Sequence, residues 1–154
     1  DSTGLESYIS FREQVSSSSD VIRNQAELNA IPNDKEEVWI SNFPVSKQKR
    51  IKLNQQQSML NLTIGVNALT GVSVLELSGL EALERLVIMR GGLNGGSGEL
   101  RVTNCANLIS IDIGELTFMK YKNLELVDLP LLQTVKMDNN AFQIIQTVLL
   151  ESNI

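Results

Sequence analysis

Residues 124–137 read LELVDLPLLQTVKM, with leucine or a close substitute at Leu124, Leu126, Leu129, Leu132, Val135 and Met137. The intervals of two, three, three, three and two residues match neither the alternation of a strand nor the roughly 3.6-residue period of a helix. The same rhythm returns in LRVTNCANLISIDI at 100–113, LELSGLEALERLVI at 75–88 and IKLNQQQSMLNLTI at 51–64. The starting residues Ile51, Leu75, Leu100, Leu124 and Val148 are 24, 25, 24 and 24 residues apart. A period of this length implies a solenoid, in which each repeat buries its apolar face only against its neighbours.

Two apolar clusters recur within each repeat. The first holds Ile51/Leu53, Leu75/Leu77, Leu100/Val102, Leu124/Leu126 and Val148/Leu150. The second ends in Leu62/Ile64, Leu86/Ile88, Ile111/Ile113 and Val135/Met137. Alternate side chains of a strand share a face, so each pair points inward. The spacing predicts parallel strands at 61–64, 85–88, 110–113 and 134–137, side by side at about 4.8 Å and wound right-handed. A third apolar set, Leu69/Val72, Leu93, Phe118/Tyr121 and Phe142/Ile145, closes the turn. The fold class expected is an α/β or mainly β solenoid.

The ends of the pattern are less regular. Val38 and Ile40 stand 24 residues before Leu62 and Ile64, so residues 31–50 read as a degenerate turn, with Phe43 and Val45 continuing the core. Residues 1–30 carry SSSS at 15–18 and no such rhythm. They are expected to be a linker or an N-terminal cap, with short helices near 5–15 and 20–30, the second capped by Asp20. Residues 31–154 form the solenoid, read as a fragment of a longer array, because the chain starts at Asp1 and stops just inside a new repeat.

The residues at this point resemble leucine-rich repeats, whose core is LxxLxLxxN. It appears as LLQTVKMDNN at 131–140 and MLNLTIGVN at 59–67, with Asn140 and Asn67 in the asparagine place. The resemblance implies that these asparagines bond backbone groups along the stack; Gly91 and Leu116 hold the matching places in the other repeats. The NxF of Asn140-Ala141-Phe142, followed by a second LxL cluster, is closer to the irregular repeats of protist and bacterial surface proteins than to the long-helix type. Such repeats are mainly binding scaffolds, so the resemblance implies a protein-interaction module, extracellular or at the cell surface rather than cytoplasmic.

Composition bears on chemistry. The 154 residues contain no histidine and carry a formal charge of −5, which removes Ser-His and Cys-His machinery and disfavours general nucleic-acid binding. The single Cys105 occupies the place of Leu80 and Leu129 and is expected in the core. Glu81/Glu84 or Asp112/Asp138 could approach one another, but no pocket is evident to raise a carboxyl pKa for acid catalysis. No enzyme activity, metal or cofactor is expected. No apolar run approaches the roughly 20 residues of a membrane-spanning helix. The basic run Lys47–Lys52 reads as a solvated loop. Gly91–Gly98 resembles a phosphate cradle only loosely, because it lacks the lysine–serine or lysine–threonine pair and a following helix; it reads as a tolerated loop holding the one extra residue of its repeat.

Function would be written in the outward columns. After each repeat start stand Lys52, Glu76, Arg101 and Glu125, alternating in sign as a register-fixing ladder would. On the other strands Asn61, Arg85, Ser110 and Thr134 form one outward column, and Thr63, Val87, Asp112 and Lys136 the next. Trp39 falls in the outward register of the degenerate turn. It is either a contact residue together with Arg85, Asp112 and Lys136 or part of the cap, packed under the N-terminal segment. Asn61-Leu62-Thr63 is a glycosylation sequon. A partner protein on this face is the first expectation. The rival is self-assembly through the C-terminal edge, where Val148 and Leu150 open a new turn.

Overall fold

The computed structural model describes residues 21–44 and 50–151. Helix near 5–15, Asp20, Val45 and residues 47–49 of the basic run lie outside the described residues. The chain forms a mainly β, parallel-strand solenoid. Strands β1 (Val21–Ile22), β2 (Glu37–Ile40), β4 (Asn61–Ile64), β6 (Arg85–Ile88), β8 (Ser110–Ile113) and β10 (Thr134–Met137) make one sheet, here sheet A, in that order. Strands β3 (Arg50–Leu53), β5 (Val74–Ser78), β7 (Glu99–Thr103), β9 (Asn123–Val127) and β11 (Thr147–Glu151) make a second, sheet B. The four strands expected at 61–64, 85–88, 110–113 and 134–137 are present with those bounds. Their pairing is parallel and in the repeat register: Leu62 opposite Leu86, Leu86 opposite Ile111, Ile111 opposite Val135.

Each turn visits sheet B, then sheet A, and returns, so the apolar pairs of both sheets meet in one core that includes Leu53, Leu62, Leu77, Leu86 and Ile111. The third apolar set fills the corner that follows sheet A. Phe118 stacks on Phe142 with centroids 4.6 Å apart and meets Tyr121 edge-on at 4.8 Å. The Tyr121 hydroxyl donates to the Val72 carbonyl, which satisfies a buried polar group, and burial pushes its phenol well above the ordinary range. Cys105 is fully buried, as its place beside Leu80 requires, and burial raises its thiol pKa.

The corners depend on left-handed backbone. Asn67, Gly91, Leu116 and Asn140 have φ of 55, 73, 57 and 64°, and two residues on, Leu69, Leu93, Phe118 and Phe142 have 55, 52, 49 and 50°. Such angles cost a non-glycine residue roughly 1–2 kcal/mol, and the cost is met by cross-turn bonds and by burial of the second set. Main-chain N–H groups of Asn67, Gly91 and Leu116 donate to the carbonyls of Arg90, Glu115 and Asn139, and those of Leu93, Phe118 and Phe142 to Ala68, Gly92 and Thr117. The turns are therefore tied at this corner by main chain, while the Asn67 and Asn140 side chains are exposed. Gly91 takes its φ without the strain that its non-glycine counterparts carry, and the Asn67 side chain occupies the space beside it, where a Cβ would lie 2.0 Å from Asn67 Oδ1.

At the N-terminal end, β1 pairs with β2, placing Ile22 and Leu28 in the core. A short helix, α1 (Gln25–Asn29), follows; it is shorter than the helix expected over 20–30, whose first residues are extended instead. Asn24 is its cap, accepting from Glu27 N–H at 2.9 Å, and the Glu27 carboxylate accepts from Arg23 N–H at 3.1 Å. This reciprocal arrangement is close to a capping box and is legible as Asn24-x-x-Glu27.

Candidate interaction surface

The two sheets differ in what they do with their outward charges. On sheet B, Lys52, Glu76, Arg101 and Glu125 stand opposite one another on successive strands. Glu76 receives Lys52 at 3.2 Å, Arg50 at 2.8 Å and Arg101 at 3.4 Å, and Arg101 also pairs with Glu125. Burial pushes the Glu76 carboxyl up. The Lys52 hydrogen bond and the charges of Lys52, Arg101 and Arg50 outweigh it, so its pKa is lowered. The Glu125 hydrogen bond and charge raise that of Arg101. The ladder is closed on itself: its charges neutralise one another and fix strand register.

Among the described residues the outward charges of sheet A form no such ladder. Asp112 and Lys136 are opposite each other, and Arg85 is opposite Ser110, one diagonal step from Asp112. Arg85 and Lys136 are exposed and Asp112 is half-buried. Among the described residues none of the three forms an ion pair. Beyond the strand ends the sheet's bonding continues, with Met89, Gly114 and Asp138 N–H donating to Ile64, Ile88 and Ile113 carbonyls. This leaves a shallow depression of about 460 Å³ lined by Val87, Met89, Asp112, Gly114, Lys136 and Asp138.

The four residues singled out as contact candidates separate in space. Asp112 and Lys136 are register partners that line one depression, and Arg85 stands on the same face one diagonal step from Asp112; Trp39 does not join them. It stands in the outward column, opposite Val21 and Thr63, but is only 6% exposed and packs with Val21 and Met89. Its indole lies across Gly65, where a Cβ would meet Trp39 Nε1 at 3.0 Å. Trp39 therefore has the covered position of the cap alternative: β1 supplies an outward neighbour, Val21, and the small Gly65 lets the ring lie flat. Asn61 faces outward, half-buried, and its amide donates to Glu37 Oε1 at 2.6 Å, while Thr63 of the sequon is buried. Glu37 escaped the sequence reading, although its place 24 residues before Asn61 predicts the neighbour.

No group of three or more His, Cys, Asp and Glu side chains is placed to hold a metal among the described residues. No described helix is long and apolar enough to cross a membrane. The sequence matches no family model, and no curated protein or solved structure matches it.

Proposed function

We propose that this chain is a non-catalytic binding scaffold of the irregular leucine-rich-repeat type, wound right-handed, whose protein partner docks on the outer face of sheet A. The observation that carries this is the contrast between the sheets. Sheet B neutralises its own outward charges, whereas Arg85, Asp112 and Lys136 share the outer face of registered strands and form no ion pair among the described residues. A rigid array of this kind loses little conformational entropy on association. Arg85 offers a planar fork of donors, and a charge of each sign beside it confers orientation and specificity on a partner of complementary charge. A cell-surface setting follows from the resemblance of the repeats. Mass spectrometry of the native polypeptide, reading sugar on Asn61, tests that setting.

A second reading rests on a separate observation. At the C-terminal end of the described stack, Val135, Met137, Val148 and Leu150 are exposed, Leu150 by 67%. A further turn in the same register fits on β10 and β11, so end-to-end stacking is the rival. The double reversal Arg85→Glu with Asp112→Lys, set beside Leu150→Glu, separates the two. Under the face-binding reading the double reversal weakens partner binding at least ten-fold, with stability within about 0.5 kcal/mol of the parent, and Leu150→Glu does not affect it. If only Leu150→Glu reduces association, measured by sedimentation and by partner binding, the face is not the site.

A further inference from the structure

The glycine-rich turn Gly91–Gly98 breaks the hydrogen-bond pattern of its neighbours, and it does so at the single extra residue of its repeat. Three other turns close this corner with a main-chain bond: Val72 N–H to Leu69 O at 3.2 Å, Tyr121 to Phe118 at 3.0 Å and Ile145 to Phe142 at 3.2 Å. The following strand is entered by two N–H groups on one carbonyl, Lys122 and Asn123 on Gly98 O, and Gln146 and Thr147 on Lys122 O. The glycine-rich turn keeps only Glu99 N–H on Ser73 O, at 3.0 Å. The main-chain N–H groups of Asn94, Gly95, Gly96, Ser97 and Gly98 have no acceptor among the described residues.

Glycine makes the loop lie close. A Cβ would stand 2.1 Å from Val72 O at Gly96 and 2.0 Å from Ser73 O at Gly98, and Gly95 has φ +106°. Over the loop opens a groove of about 800 Å³ with Asn94, Gly95 and Ser97 on its lining, together with Lys120 and Lys122 of the next turn. Met119 and Ile144 add an apolar stretch, and among the described residues no carboxylate lines the groove. Arg50, Lys52, Arg90 and Arg101 are all ion-paired. Lys120 and Lys122 are exposed and have no ion-pair partner among the described residues.

Successive unbonded amides in a glycine-permitted turn form an anion-binding concavity, and lysine serves phosphate as a point charge. The volume is that of a small-molecule site rather than of a bare ion. We propose that this groove binds a small organic phosphate. Loop amides and the ammonium groups of Lys120 and Lys122 take the phosphoryl oxygens, and Met119 and Ile144 carry the organic part. The lysine missing from the loop's own sequence is supplied one turn later: Lys122 N–H donates to the Gly98 carbonyl and Asn123 pairs with Glu99, which sets Lys122 beside Gly98, and Lys120 lines the groove together with Gly95.

The test is calorimetric titration of the full chain with glucose 6-phosphate, inorganic phosphate and glucose, with amide chemical shifts recorded by NMR. Saturable binding of glucose 6-phosphate is expected, with the largest shifts at 94–98. Inorganic phosphate binds more weakly and glucose not at all, and Lys120→Gln with Lys122→Gln weakens the sugar phosphate at least ten-fold. Both lysines are exposed, so the variant's amide spectrum, unchanged elsewhere, shows it folded. Absence of saturable binding, shifts elsewhere, or an affinity indifferent to the lysines overturns the site. Equal affinity for inorganic phosphate overturns the organic carrier. None of these outcomes bears on sheet A.

Discussion

Leu86 is the most informative single residue for the packing. It is fully buried and lies opposite Leu62 on one side and Ile111 on the other. Leu86→Ala removes three carbons, worth about 0.8 kcal/mol each in transfer, or about 2.4 kcal/mol together. A cavity term adds to this, because both neighbouring strands are locked into the main-chain ladder and cannot close the gap; about 3–4 kcal/mol is expected, within the range seen for buried leucines. Val135 stands in the same column two strands further on, but is 38% exposed. Val135→Ala removes two carbons that are only partly buried, so about 1 kcal/mol is expected. Urea unfolding at equilibrium measures both losses, with matched m-values as the check that the denatured states are comparable. A loss below about 0.5 kcal/mol for Leu86→Ala, or equal losses at the two positions, would refute a core graded along the stack.

Three further outcomes follow from the structure. The lowered pKa of Glu76 means that the native state favours its charged form, so the stabilisation is present above the ordinary carboxylate value of 4.5 and is lost as pH falls through the lower folded value. Glu76→Gln should cost about 1 kcal/mol at neutral pH, discounted for its half-exposed partners, and should flatten the acid limb of a stability–pH profile. Gly91→Ala should destabilise by about 1–3 kcal/mol through left-handed strain and the clash with Asn67, which thermal unfolding reads. Tyr121→Phe leaves the Val72 carbonyl without its donor and should cost about 1–3 kcal/mol by the same measurement.

The strands of sheet A were legible because their inward pairs recur at a near-constant interval and a strand needs only alternation. The charge ladder was legible for the same reason: Lys52, Glu76, Arg101 and Glu125 occupy one register position. What the sequence concealed lies in the corners. Leucine and phenylalanine at Leu69, Leu93, Phe118 and Phe142 give no local sign of a left-handed backbone, which tertiary burial imposes on them. The resemblance gave Asn67 and Asn140 a bonding role that Gly91 and Leu116 have no side chain to share; what all four places have in common is a left-handed backbone, and Asn67, Gly91 and Leu116 also donate a main-chain N–H to the next turn. Trp39 shows a different limit. Alternation assigns it correctly to the outer face, but alternation does not show what covers that face; Val21 and Met89 come from turns before and after it. Lys120 and Lys122 were missed as neighbours of the glycine loop because local motif spacing does not span a repeat.

The central claim is that Arg85, Asp112 and Lys136 belong to one face because the strands of sheet A stack in a single register. Disulfide trapping tests it most directly. Ser110 and Thr134 are Cα partners on neighbouring strands and both point outward, about 4.8 Å apart, so Ser110→Cys with Thr134→Cys should cross-link under mild oxidation. Ser110→Cys with Lys136→Cys is offset by two residues along the strand, about 8 Å away, beyond the roughly 7 Å that a disulfide spans. Efficient trapping of the first pair and little of the second is the predicted result. Preferential trapping of the offset pair, or of neither, would contradict the register and with it the proposed face.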